Sequence, residues 1–194
     1  MALYGMSDED LEQMYQEVIL DAARDPHGKV TLEEQDTEAE TGVTLSHTHE
    51  YCIPARSHQF NPTCGDEVTV HVEVSDGSDG GPQRIERLVW DGQGCSISQA
   101  SLSVMVDLVE HKTVDEAMSM ASDFHRLMDS RGKGVPDANL DDTLGDAVVF
   151  QGVSRYPMRI KCALLGWEGM KASVAQALSH MDSRPTMAMQ TKER

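Results

Sequence analysis

The chain has 194 residues, with 16 Lys+Arg against 33 Asp+Glu, a formal net charge of −17 and 39% hydrophobic residues. Since domains typically take about 100–200 residues, this length predicts one domain with appendages, and the apolar content suffices for a core. The strong negative charge excludes a phosphate-binding face, so neither nucleic acid nor an anionic membrane surface is expected as a partner.

The first predicted element is a helix close to the amino end. Ser7 is a candidate N-cap followed by acidic residues, and apolar residues then recur at helical spacing until the turn at 25–28. The residues before the helix lack the basic-then-apolar pattern of a secretory signal. No stretch of the chain approaches the ~20 apolar residues of a membrane span, so we expect a cytoplasmic protein without membrane contact.

Residues 31–58 differ in composition from the rest of the chain. Acidic residues crowd the first half, and His47, His49, Cys52 and His58 lie in the second. The histidines allow a metal-binding interpretation, but the composition favours a polar loop or partly disordered insertion.

The remaining elements are strands followed by helices. Valines at 68, 70, 72 and 74 alternate with polar residues and predict a half-buried strand, and residues 85–90 predict a second strand after a turn, giving an antiparallel hairpin. Helices are predicted at 96–110, 114–128 and 158–181, with a linker at 131–142 and a flexible tail at 183–194. This grouping favours an α+β fold in a single domain at 1–182.

The four cysteines are the most informative residues: Cys52, Cys64, Cys95 and Cys162. Two disulfides are possible by number, but a reducing compartment favours metal-binding or catalytic cysteines. Buried, chemically inert thiols are the alternative, because free cysteine is often buried.

Three of these cysteines have distinctive neighbours. Cys64 lies in the segment NPTCGD at 61–66, Cys95 follows WDGQG at a predicted helix start, and Cys162 ends the segment RIKC. A thiol at a helix N-terminus is favoured as thiolate, the form that binds metal or attacks sulfur. Together with Asp66, the three thiolates would supply the four ligands of tetrahedral Zn²⁺, provided that the fold brings distant segments together.

These motifs resemble the IscU-like (NifU N-terminal domain-like) family of iron–sulfur assembly proteins, and the opening helix is similar as well. The resemblance covers most of residues 10–180. It implies a small antiparallel sheet of about three strands packed against a group of helices, and one domain with a polar insertion at about 31–58.

Within this family, the chain is similar to the SufU branch of zinc-dependent sulfurtransferases. Lys161 stands where IscU-type scaffolds have a histidine, and residues 111–157 contain extra helical and linker sequence. The resemblance implies that Cys64 accepts sulfur, and that a SufS-type, PLP-dependent cysteine desulfurase delivers it for passage to a downstream scaffold or apo-protein. It also implies that the desulfurase releases Cys64 by supplying a substitute ligand. The implied zinc ligands are Cys64, Asp66, Cys95 and Cys162.

Two alternatives use the same side chains differently. The cysteines could hold a transient [2Fe–2S] cluster that is assembled and passed on, and Asp66 suits this because a carboxylate ligand makes a cluster labile. Lys161 favours sulfur transfer over this scaffold role. A purely structural zinc is the third interpretation, for which a carboxylate is an unusual ligand.

Overall fold

An antiparallel sheet forms one layer of the computed structural model, which describes residues 8–32, 52–78, 80–137 and 139–183. Within these residues the sheet has three strands in the order β1–β2–β3: β1 (Cys52–Asn61), β2 (Asp66–Ser75) and β3 (Ile85–Gln93). The helices that pack with it are α1 (Asp8–Arg24), α2 (Ser96–Val109), α3 (Val114–Asp129), α4 (Leu140–Leu144) and α5 (Pro157–Ser183), with 3₁₀ turns at Gly145–Gln151 and Val153–Arg155. The expected α+β fold with a small antiparallel sheet is confirmed.

The long helix α5 packs across β1 and β2. The alternating valines of β2 are almost completely buried, as the sequence pattern predicts. A Cβ added at Gly169 would lie 2.7 Å from Cγ2 of Val70, and the Ser173 hydroxyl donates to the Val70 carbonyl at 3.0 Å. The helix backbone therefore lies close against the middle of the sheet.

A buried polar contact joins α2 to α5. The Trp167 indole Nε1–H donates to the hydroxyl of Ser101 at 3.2 Å, and that hydroxyl donates to the Ala163 carbonyl at 2.6 Å. Trp167 also stacks on Phe124 of α3, with ring centroids 4.7 Å apart. Because Ala163 directly follows Cys162, these contacts fix the backbone beside that cysteine.

The prediction of a polar loop at 31–58 is wrong for residues 52–58, which belong to β1. Cys52 pairs with Ser75 and Asn61 with Asp66, so β1 runs antiparallel to β2 along its whole length. Residues 33–51, including His47 and His49, lie outside the described residues, as do Ser7 and residues 184–194 of the predicted tail.

The interpretation of β2 as a half-buried strand holds for Glu67 and Thr69, which are partly exposed, and is wrong for His71 and Glu73. His71 and Glu73 lie on the face opposite the valines, yet they are only 4% and 0% exposed. Each has a charged partner. Arg56 Nε donates to His71 Nδ1 at 3.1 Å, and Arg87 Nη1 lies 3.5 Å from Glu73 Oε1. Such pairing makes the burial of polar side chains tolerable. None of the described helices is long and apolar enough to cross a membrane.

Candidate metal centre

The hairpin between β1 and β2 presents Cys64 at its tip. Asn61 and Asp66 form the last pair of the two strands, and residues 62–65 make the loop between them. The loop is held by the Asn61 carbonyl, which accepts from the Gly65 N–H at 2.9 Å, and by the Asn61 side-chain oxygen, which accepts from the Thr63 N–H at 3.1 Å. Cys64 is exposed on this loop.

Cys162 reaches the same place from α5. Its Sγ lies 3.2 Å from Sγ of Cys64, although the two residues are 98 positions apart in the chain. The Cys162 thiol is 4% exposed, and two polar groups contact its sulfur at 3.7 Å: the side-chain amide of Asn61 and the carbonyl of Met158. Burial raises the pKa of Cys162, and the neighbouring Cys64 thiol and Asp66 carboxylate raise it further.

Asp66 is the buried acid of the site, at 3% exposure. Its Oδ1 accepts from the backbone N–H of Cys95 at 3.1 Å, whereas its Oδ2 has no hydrogen-bond partner among the described residues. Burial acts to raise the pKa of Asp66, but interactions with the Cys64 and Cys162 thiols and the Cys95 N–H outweigh it, so the pKa is below its ordinary value. The side chain is therefore a carboxylate whose Oδ2 forms no hydrogen bond among the described residues, although the Cys64 and Cys162 thiols lie close to the carboxyl group.

The donor atoms of Cys64, Asp66 and Cys162 all lie within 4.8 Å of one another. Thiolate sulfur and carboxylate oxygen are ligands that Zn²⁺ accepts, and a buried carboxylate oxygen without a partner is a group that a cation would satisfy. The residues present therefore fit a divalent metal ion.

A model of the NifU-like N terminal domain family matches residues 14–163, which is most of the chain. The chain belongs to this family. The resemblance inferred from the cysteine motifs is thereby confirmed for the family.

Two curated relatives and one solved structure resemble this NifU-like chain. The zinc-dependent sulfurtransferase SufU of Bacillus subtilis is 33% identical over 167 residues, covering 86% of this chain and 93% of the relative. The iron–sulfur cluster assembly scaffold protein IscU of Streptococcus pyogenes is 34% identical over 117 residues, covering 60% of this chain and 67% of the relative. A crystal structure of a SUF-system protein (FiSufU) from Fervidobacterium islandicum matches with a TM-score of 0.55 and 28% identity, covering 84% of this chain and 98% of that one.

Cys95 lies at the edge of the NifU-like site. It is exposed and occupies the N-cap position of α2. Its backbone N–H donates to Asp66 Oδ1, and the Ser98 hydroxyl lies 3.8 Å from its sulfur. Among the described residues, its sulfur does not belong to the group formed by Cys64, Asp66 and Cys162. Its role as the fourth ligand stays a prediction.

Cys52 belongs to the opposite end of β1 and takes no part in the site. It is 7% exposed, and burial together with the acidic neighbours Glu73, Glu86 and Asp76 raises its pKa to about 11. Such a thiol is protonated at neutral pH, which matches the alternative of an inert buried cysteine. Six residues farther along β1, His58 is exposed and contacts the Thr69 hydroxyl at 3.1 Å.

Two site residues were not predicted as such from the sequence: Asn61 and Gly94. Asn61 opens the NPTCGD segment, and an asparagine before a turn often caps it, but a turn cap does not reveal the contact with Cys162. Gly94 leaves room for Asp66, because a Cβ there would lie 3.0 Å from its Cγ and 2.4 Å from Ser98 Oγ. The glycine-rich segment before Cys95 was the available signal.

Proposed function

We propose that this NifU-like chain is a zinc-dependent sulfurtransferase of iron–sulfur cluster biogenesis that accepts persulfide sulfur on Cys64. The observation that carries the proposal is the contact between an exposed thiol, Cys64, and a buried ligand pair, Cys162 and Asp66. An exposed sulfur can meet a partner protein, while the buried pair stays in place. The name of the SufU relative gives zinc-dependent sulfur transfer and supports this chemistry, while the name of the IscU relative gives a cluster assembly scaffold and supports the wider role in iron–sulfur cluster biogenesis.

The zinc ion would be held by Cys64, Asp66 and Cys162, with Cys95 as the fourth ligand. When bound, Zn²⁺ would keep the sulfurs as thiolates and would add no redox chemistry of its own. Asp66 is suited to this site because Oδ1 is already fixed by the Cys95 N–H, which leaves Oδ2 to face the ion. Burial of Cys162 keeps water from its sulfur.

Sulfur transfer itself takes place between a released Cys64 thiolate and a persulfide donor. The Cys64 sulfur attacks the outer sulfur of a desulfurase cysteine persulfide, forming a new S–S bond as the donor's S–S bond breaks. The donor cysteine leaves as thiolate, and the outer sulfur keeps its proton, so Cys64 ends as a persulfide without any net oxidation or reduction. A downstream scaffold or apo-protein would take the sulfur from Cys64 by the same exchange.

The surroundings of Cys64 favour a protein partner over a small-molecule donor. Phe60, which lies just before the hairpin loop, is 56% exposed, and Met158, one turn before Cys162, is 57% exposed. Exposed large apolar side chains next to a reactive group are typical of an interface. The resemblance to the SufU branch implies which protein the partner is, and we propose a SufS-type, PLP-dependent cysteine desulfurase as the donor.

The test measures alanine and sulfide production by a purified SufS-type desulfurase, with and without this protein. The wild-type chain should carry zinc and accelerate desulfurase turnover, whereas Cys64→Ala should remain folded and fail to accelerate it. Cys52→Ala, which changes a cysteine outside the site, is the matched control and should accelerate turnover as the wild type does. Full acceleration by Cys64→Ala would overturn the assignment of the sulfur acceptor.

Metal analysis separates this proposal from the scaffold alternative. The thiol and carboxylate donors of Cys64, Asp66 and Cys162 also suit a labile [2Fe–2S] cluster. A colourless protein with one tightly held zinc is expected for sulfur transfer. A brown, oxygen-sensitive protein whose stimulation of the desulfurase does not depend on zinc would instead assign it as a cluster scaffold.

A further inference from the structure

The side chain of Asn61 connects the two elements that carry the cysteine pair. It is 5% exposed at the end of β1, and its two polar atoms point to different partners. Oδ1 accepts from the Thr63 N–H of the hairpin loop, and Nδ2 donates to Sγ of Cys162 on α5 at 3.7 Å. One amide therefore holds both the loop that bears Cys64 and the sulfur that Cys64 contacts.

The contacts of the two sulfurs are unequal. Cys162 Sγ is buried between the Asn61 amide and the Met158 carbonyl, so its position is defined from two sides. Cys64 Sγ is exposed on the loop, and no N–H group of the described residues donates to it. Hydrogen bonds from surrounding residues to a metal ligand fix its orientation, and their loss typically costs ~10–100-fold in metal affinity.

We propose that Asn61 is a positioning residue that anchors Cys162, so that Cys64 is the sulfur free to leave the site and react. Without this anchor, only burial and the Met158 carbonyl would hold Cys162, and its sulfur would leave the site more readily. The amide thus keeps Cys162 in place while Cys64 carries the sulfur. This inference rests on the proposed metal site and adds a residue to it.

The experiment separates the two hydrogen bonds of the amide. Asn61→Ser keeps a side-chain oxygen that can accept the loop N–H, because serine forms the same kind of turn, but it removes the donor to Cys162. Asn139→Ser changes an exposed asparagine far from the site and is the matched control. Asn61→Thr, which suits the end of a strand, replaces Asn61→Ser if that variant does not fold.

The readouts are residue-resolved alkylation by iodoacetamide, followed by mass spectrometry, and zinc affinity by chelator competition. In zinc-loaded wild type and in Asn139→Ser, Cys64 should be modified well before Cys162. In Asn61→Ser, alkylation of Cys162 should accelerate by roughly tenfold or more and zinc should bind about 10–100-fold more weakly, with circular dichroism unchanged.

A folded Asn61→Ser protein with wild-type zinc affinity and a protected Cys162 would overturn the inference. Failure of the proposed function is recognised separately, by absence of zinc from the wild type or by stimulation of the desulfurase by Cys64→Ala. Alkylation of the zinc-free protein is informative in that case too, because the hydrogen bond from the Asn61 amide to Cys162 joins two groups of the protein itself. There, equal protection of Cys162 in wild type and Asn61→Ser would refute the anchoring role.

Discussion

Gly94→Ala is expected to weaken zinc binding by displacing Asp66, although residue 94 is not a ligand. The new Cβ would lie 2.4 Å from Ser98 Oγ and 3.0 Å from Asp66 Cγ. The Ser98 hydroxyl can rotate away, at the cost of its 2.9 Å hydrogen bond to the Cys95 carbonyl. The Asp66 side chain is buried and has to shift by a few tenths of an ångström.

A shift of this size matters because metal–ligand distances are held to about ±0.2 Å. The shift also strains the hydrogen bond from the Cys95 backbone N–H to Asp66 Oδ1. A hydrogen bond to a charged group contributes about 1.5–3 kcal/mol to stability. Since each 1.4 kcal/mol is a factor of ten, zinc should bind roughly 10- to 100-fold more weakly.

Competition with a chromophoric chelator measures this affinity, and thermal unfolding of the zinc-free protein reports on the fold. Gly152→Ala is the matched control, because no atom lies within 4 Å of the Cβ that it adds. The double variant Gly94→Ala/Ser98→Ala removes the hydroxyl clash and should still bind zinc weakly. Wild-type affinity in the double variant would show that Ser98, and not Asp66, transmits the effect, and would refute the reasoning.

Three further predictions concern the thiol outside the site and the packing of α5. Burial raises the pKa of Cys52 to about 11, so the folded state favours the thiol, and its contribution to stability should be present below pH ~9 and be lost as the pH rises to 11. Urea unfolding should therefore show that the free energy of unfolding falls less steeply with pH in Cys52→Ala than in the wild type, and parallel curves would contradict this. Ser101→Ala should lower the free energy of unfolding by about 1–3 kcal/mol, because the buried Trp167 N–H loses its acceptor, and a change below 0.5 kcal/mol would count against that role. Gly169→Ala should destabilise the protein by ~1–3 kcal/mol by crowding Val70, whereas unchanged thermal unfolding would mean that α5 can move away from the sheet.

The sequence was sufficient for the elements whose patterns are regular. The alternating valines predict β2, and helical spacing predicts α2, α3 and most of α5, because in these segments one apolar face packs against the core. β1 lacks such a pattern. Its core-facing positions include Ser57 and Gln59, which hydrogen-bond to each other at 2.8 Å. A Cβ at Gly169 would lie 3.3 Å from Cγ of Gln59, so the close approach of α5 leaves little room for large apolar residues there.

Three of the four predicted site residues come together in the structure, and the geometry of that group could not be predicted from the sequence. Local context identifies Cys64, Asp66 and Cys162, and the structure brings their donor atoms together. The approach of residues 98 positions apart to 3.2 Å depends on how α5 crosses the sheet, which no local spacing encodes. Cys95 illustrates the same limit, because its backbone is fixed to Asp66 while its sulfur stays outside the group.

The two oxygens of Asp66 let one side chain serve two partners at once. A thiolate would have to use its single sulfur for both the N–H at the start of α2 and a metal, whereas the two carboxylate oxygens lie at different positions. The carboxylate divides these tasks: Oδ1 ties the β-hairpin to α2, and Oδ2 remains for a metal. A site built only for stability would gain little from a hairpin loop that leaves one of its sulfurs exposed. The combination of a rigid carboxylate, a buried Cys162 and an exposed Cys64 is better suited to a centre that keeps its structure while one ligand reacts.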